Sequence, residues 1–148
     1  MVHLEPITPQ NYEAALQLSP APGQETFVAT VERSLADAYA HREEGARALA
    51  AIEGETVVGF VLLFPTEHRG ERVMLLVRLL VDRDHQGRGI GTAILDAVIE
   101  EARRHEPQPA MVKLTVVPEN ARAIRLYERF GFAGEEMEDG ERVMLRNL

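Results

Sequence analysis

The chain has 148 residues, 45% hydrophobic and 27% charged, and a formal charge of −8 at pH 7. That length suits one domain, residues 1–148, and the lack of cysteine excludes disulfides and thiolate ligands. The acidity argues against nucleic acid as a partner, no apolar run reaches the roughly 18 to 20 residues of a membrane span, and the N-terminus MVHLEPITPQ has no secretory pattern, so the expectation is a cytoplasmic protein that meets no membrane.

In chain order, residues 2–8 read as a short strand and 9–18 as a short helix, broken by the Pro- and Gly-containing SPAPGQ. Residues 25–44 predict a helix, with Val28, Val31, Leu35, Ala38 and Tyr39 at helical spacing. Residues 46–66 are two apolar runs parted by Glu53-Gly54-Glu55, a hairpin signal. VMLLVRLLV, Val73 to Val81, is apolar on both faces except Arg78, as in a strand covered on both sides. A helix follows from about Gly89 to Arg104, with Ile90, Ile94, Leu95, Val98 and Ala102 inward. AMVKLTVV is a further strand, ended by Pro118. In the next helix Asn120 is a natural N-cap, Ala121, Ile124, Tyr127 and Phe130 form the apolar stripe, and Gly131 closes the end. Asp139-Gly140 joins two last strands. The order β α α β β β α β α β β is a mixed α/β pattern, a mostly antiparallel sheet flanked by helices.

The most informative stretch is DRDHQGRGIGTAIL, Asp82 to Leu95, a strand-to-helix corner with glycine at 87, 89 and 91. A helix start leaves about four backbone N–H groups unpartnered and carries partial positive charge. Glycines there let a phosphate approach those amides, so Gly87, Gly89 and Gly91 make a diphosphate cradle, with Thr92 adding a hydroxyl and Arg88 a charge at the rim. A P-loop would need a Lys-Ser/Thr pair where Thr92-Ala93 stands, and the dinucleotide fingerprint would need glycine in place of Thr92. The five histidines, His3, His41, His68, His85 and His105, make no ligand spacing with one another, so no metal is expected.

QGRGIG, Gln86 to Gly91, resembles the Gln/Arg-x-x-Gly-x-Gly/Ala signature of the GNAT superfamily of N-acetyltransferases, and LTVVPENARAIRLYERFGF resembles that family's strand, Asn-capped helix, Tyr and Gly-Phe ending. The order of elements agrees over nearly the full length. The resemblance implies a sheet of six to seven strands with about four helices, its fourth and fifth strands splayed apart, and acetyl-CoA as cosubstrate without a metal. It further implies that the backbone of Leu79 and Val81 runs beside the pantetheine arm. Gln86 belongs to the cofactor-binding stretch, and the backbone amides of Gly87, Arg88, Gly89, Ile90, Gly91 and Thr92 should hold the pyrophosphate. Asn120 should reach the pantetheine or cap its helix beside it, and Tyr127 should protonate the leaving sulfur. Dimers being common in the family, a homodimer is expected.

The acceptor implied is a small-molecule amine. Residues 23–40 resemble the helical region of bacterial diamine, spermine and spermidine acetyltransferases, and an acidic protein attracts a polycation. Glu25, Glu32, Asp37 and Glu119 are candidate lining acids, whereas Glu135, Glu136, Glu138, Asp139 and Glu141 read as a solvated hairpin. One departure stands out: where several polyamine acetyltransferases carry a fourth-strand carboxylate, this chain has Leu75, Leu76, Val77 and Arg78. The general base is thus unassigned. Another small amine, a protein N-terminus, or a sensor that binds acetyl-CoA without turnover stay open as alternatives.

Overall fold

The computed structural model describes residues 1–148 except Thr26 and Val28. The elements are β1 (Val2–Pro6), α1 (Tyr12–Leu16), α2 (Val31–Ala40), a 3-10 turn (Arg42–Glu44), β2 (Arg47–Glu53), β3 (Thr56–His68), β4 (Glu71–Val81), a second 3-10 turn (Arg83–His85), α3 (Ile90–Arg104), β5 (Met111–Val116), α4 (Ala121–Arg129), β6 (Met137–Glu138) and β7 (Glu141–Asn147). The strands form one seven-stranded sheet in the order β1-β2-β3-β4-β5-β7-β6. Every neighbouring pair is antiparallel except β4 and β5.

Side-chain alternation gives the sheet two buried faces. On one, Leu49, Val58, Val61, Leu63, Met74, Leu76, Val112 and Leu114 pack against the apolar stripes of α3 and α4. On the other, Phe60, Leu62 and Leu80 meet Ala15 of α1 and Val31 and Ala38 of α2. The α3 stripe expected from sequence is buried as read, with Ile99 added.

The predicted helix over 25–44 is shorter. Thr30 Oγ1 accepts from the Arg33 amide at 3.1 Å and starts α2 at Val31, while Val28 lies outside the described residues. Tyr39, expected on the inward stripe, is 68% exposed and lies under the Arg42 guanidinium at 4.0 Å. Val31, Ser34 and Ala38 form the buried face of α2, and Tyr39, one position beyond Ala38, is turned to solvent.

What positions the functional region is a break in β4. Val73, Met74 and Leu75 pair with Met111, Val112 and Lys113 of β5, and the parallel ladder stops there. On the other flank β4 stays paired with β3 through Val81, with a register shift that leaves Val77 opposite no residue of β3. Such a bulge bends the strand, and beyond it β4 and β5 diverge.

Candidate active site

A cleft of about 910 Å³ opens where β4 and β5 separate, lined by β4 from Leu75 to Val81, the corner before α3, β5 and α4. The Asp82 amide donates to the Val58 carbonyl at 2.9 Å, so the residue pairs Asp82–Val58 and Leu80–Phe60 are the hydrogen-bonded ones. Leu79 and Val81 therefore turn their backbone N–H and C=O groups away from β3 and into the gap. The Val81 carbonyl accepts from Gln86 Nε2 at 2.9 Å. The other groups face the cleft as an edge does, offering hydrogen bonds to an extended ligand.

The glycine corner sits at one end of the cleft. Gly87 and Gly89 have φ of +77° and +76°, a left-handed backbone that glycine adopts without Cβ strain, and no heavy atom would crowd a Cβ at either. The space before them is open. The Ala93 amide reaches the Gly89 carbonyl at 3.0 Å, so the amides of Ile90, Gly91 and Thr92 precede the first intrahelical bond and have no partner inside α3. At Gly91 a Cβ would lie 3.2 Å from Leu126 Cδ2, which keeps α4 close to the corner.

Of the residues assigned from sequence to cofactor binding, Leu79, Val81, Gln86, Gly87, Gly89, Ile90, Gly91, Thr92 and Asn120 all line the cleft. The Ile90 side chain belongs to the core, leaving its amide as the contribution to the corner. Arg88 is outside the lining, with its guanidinium 3.7 Å from Glu53. Asn120 Oδ1 accepts from the Ala123 amide at 3.2 Å and caps α4 at the cleft wall.

Tyr127 is fixed by the end of its own helix. Phe132 N–H bonds the Tyr127 carbonyl at 3.0 Å and Gly131 N–H the Glu128 carbonyl at 3.1 Å, with Gly131 at φ +90°. This is a Schellman closure, which brings Phe132 back onto the helix. The buried Phe132 ring meets Tyr127 edge-on at 5.9 Å. Among the described residues the Tyr127 hydroxyl has no hydrogen-bond partner, and burial pushes its pKa up to about 12. It faces the cleft as a neutral phenol with a proton to give.

The structure corrects the expected acids. Glu25, Glu32, Asp37 and Glu119 do not line the cleft, whereas Glu138 and Glu141, assigned from sequence to a solvated hairpin, do. Asp37 instead pairs with Arg78 at 3.4 Å and Arg33 at 3.1 Å. The strand register that carries β7 back beside β5 brings the hairpin acids in; the Asp139-Gly140 turn signalled the hairpin but not its neighbour. Lys113, buried on β5, lies 3.1 Å from His68 Nδ1 and 3.2 Å from both Glu138 oxygens. His68, Glu136 and Glu138 bring ligand atoms within 4.8 Å of one another, and Lys113 and Arg69 already supply the positive charge there.

With this geometry in view, comparison with known proteins gives one consistent result. Residues 11–132 match the profile described as Acetyltransferase (GNAT) family. Two relatives from Bacillus subtilis, a probable spermine N(1)-acetyltransferase from subsp. natto strain BEST195 and a spermine/spermidine N(1)-acetyltransferase from strain 168, are each 28% identical over 99% of both chains. The crystal structure of PaiA N-acetyltransferase from Thermoplasma acidophilum in complex with coenzyme A shares the fold with a TM-score of 0.73, at 15% identity over 100% of this chain and 99% of that one.

Proposed function

We propose, for a chain that belongs to the acetyltransferase (GNAT) family and is an N-acetyltransferase, that it transfers the acetyl group of acetyl-CoA to a primary amine of a polyamine by direct attack. The observation that carries the donor assignment is the gap between β4 and β5. It offers the free backbone groups of Leu79 and the free amide of Val81 along one wall, the open amides of α3 at one end, and the Tyr127 phenol across from them. An extended pantetheine fits the first, a diphosphate the second, and a breaking carbon–sulfur bond needs the third.

In the reaction the amine nitrogen attacks the thioester carbonyl. The developing oxyanion needs fixed donors, and the free amides of β4 are candidates for that role. Tyr127 gives its proton to the departing sulfur; its raised pKa keeps the phenol protonated at any physiological pH. The polyamine acceptor draws support from the two Bacillus subtilis relatives and from the charge of −8, which attracts polycations at long range.

The test is thiol release from acetyl-CoA across spermine, spermidine, shorter diamines, amino acids and N-terminal peptides. The expected result is strongest turnover with one polyamine. Turnover confined to peptides or amino acids would replace the acceptor assignment. Binding of acetyl-CoA with silence on every amine would point to a sensor.

A further inference from the structure

We infer that Glu141 is the group that grips the acceptor's ammonium and takes its proton, filling the place of the carboxylate that β4 lacks. The inference rests on the amine-acetylating function proposed above and adds the residue that holds the reacting nitrogen.

Strand alternation decides which side of the sheet Glu141 serves. Met144 packs in the core with α3, and Arg142 and Arg146 reach Glu128 and the Phe130 carbonyl around α4. Glu141 and Val143 therefore project to the opposite face. On β5, Val112, Leu114 and Val116 are in the same core, so Lys113 and Thr115 project with Glu141. The cleft thus passes through the sheet, with Tyr127 on one face and Glu141 on the other. An amine approaching from the Glu141 face meets a thioester seated in the gap from the side opposite α4.

The carboxylate is held and left charged. Thr115 Oγ1 donates to Glu141 Oε1 at 2.9 Å, which orients the group and leaves Oε2 for a ligand. The charged and titratable groups lining the same cleft are Arg78 on β4, His85 before α3, Lys113 on β5, Glu138 on β6, and Tyr127 with Arg122, Arg125 and Arg129 on α4. Lys113 is matched by Glu138 and Arg78 by Asp37. Among the described residues no arginine, lysine or histidine pairs with Glu141. It is the cleft acid whose charge awaits a cation, and an ammonium supplies one.

The step balances. The bound ammonium gives one proton to Glu141, and the freed nitrogen lone pair forms the bond to the acetyl carbonyl carbon. As the carbon–sulfur bond breaks, Tyr127 protonates the sulfur, and the second nitrogen proton restores the phenol. Glu141 passes its proton to water, so ammonium and thioester become amide, thiol and one released proton.

The experiment compares kcat/KM for the amine across pH in wild type, Glu141→Gln, Thr115→Val and, as a control on the same hairpin, Glu135→Gln, with acetyl-CoA binding followed by thermal shift in each. Glu141→Gln keeps the Thr115 hydrogen bond and should bind acetyl-CoA as wild type does. It should lose about 100-fold or more in kcat/KM near neutral pH. Its profile should climb about tenfold per pH unit toward the acceptor's own pKa, since only the free amine reacts, while wild type stays flat there. Thr115→Val should show a smaller loss, and Glu135→Gln none. Wild-type behaviour of Glu141→Gln, or a loss with no change in profile shape, would overturn the role. Wild type that binds acetyl-CoA but neither binds nor acetylates any amine would overturn the role and the proposed function together.

Discussion

The two ends of β4 are built from one apolar run, broken only by Arg78, and meet opposite fates. From Val73 to Leu75 the strand is hydrogen-bonded on both flanks, to β3 and to β5. From Leu76 to Val81 it is bonded only to β3 and faces a cleft. The neighbouring helices repeat the contrast. α3 buries Ile90, Ile94, Leu95, Val98, Ile99 and Ala102. α4 has an equally clear apolar stripe, yet Ala123, Ile124, Leu126, Tyr127 and Phe130 are all only partly buried. Apolar area left in water forgoes about 25 cal/mol per Å², and buried polar backbone left unpaired is unfavourable too. A fold leaves both together where something else completes them, so the closed end is scaffold and the open end is site.

That division can be broken by substitutions that cross it. The largest effect is expected at the open end: Tyr127→Phe keeps the ring on Phe132 and should lower kcat about 100-fold or more with little change in melting temperature. A large loss of stability instead would make Tyr127 part of the scaffold. Ile94→Ala at the closed end should do the reverse, costing about 2–5 kcal/mol in denaturant unfolding while folded enzyme keeps its KM for acetyl-CoA. Gly89→Ala tests the boundary between the ends. Its φ of +76° should cost about 1 kcal/mol, and it should raise the KM for acetyl-CoA several-fold without altering the pH profile.

The smallest effect lies on the far side of α3, where Arg47 and Arg104 hold Glu101 at 2.9 and 2.7 Å. Burial alone would raise this carboxyl's pKa, but those hydrogen bonds and charges outweigh it and hold it below the usual value of 4.5. The pair's stabilisation is therefore complete above that value and fades as pH falls through the lowered one. Glu101→Gln should cost about 0.5–1 kcal/mol near neutral pH, with the gap from wild type closing in acid. A gap independent of pH would mean the charge is not what stabilises.

Much of this was legible beforehand where chemistry is local. The hydrophobic period of α3, the Asn120 cap, the Gly131 closure and the left-handed backbone of Gly87 and Gly89 all depend on residues within a few positions of one another, and the structure has each of them. The start of α2 departs from the apolar pattern because the Thr30 cap sets it at Val31. Tyr39 is exposed despite its helical spacing because periodicity names a face but not what covers it. Arg88 sits in the corner by sequence, but where its long side chain lies, 3.7 Å from Glu53 on β2, depends on a residue 35 positions earlier in the chain.

By itself the sequence determined the elements, their order and the corner with its free amides, because helix starts, turns and strand alternation are set by neighbours along the chain. Only the tertiary structure decided where β4 and β5 part, after Leu75, that Asp37 pairs with Arg78, and that Glu141 enters the cleft. Those outcomes turn on pairs far apart in the chain, such as Thr115 with Glu141, 26 positions on, and Asp37 with Arg78, 41 positions on. Strand order and register bring them together, and neither is written in any single stretch of residues.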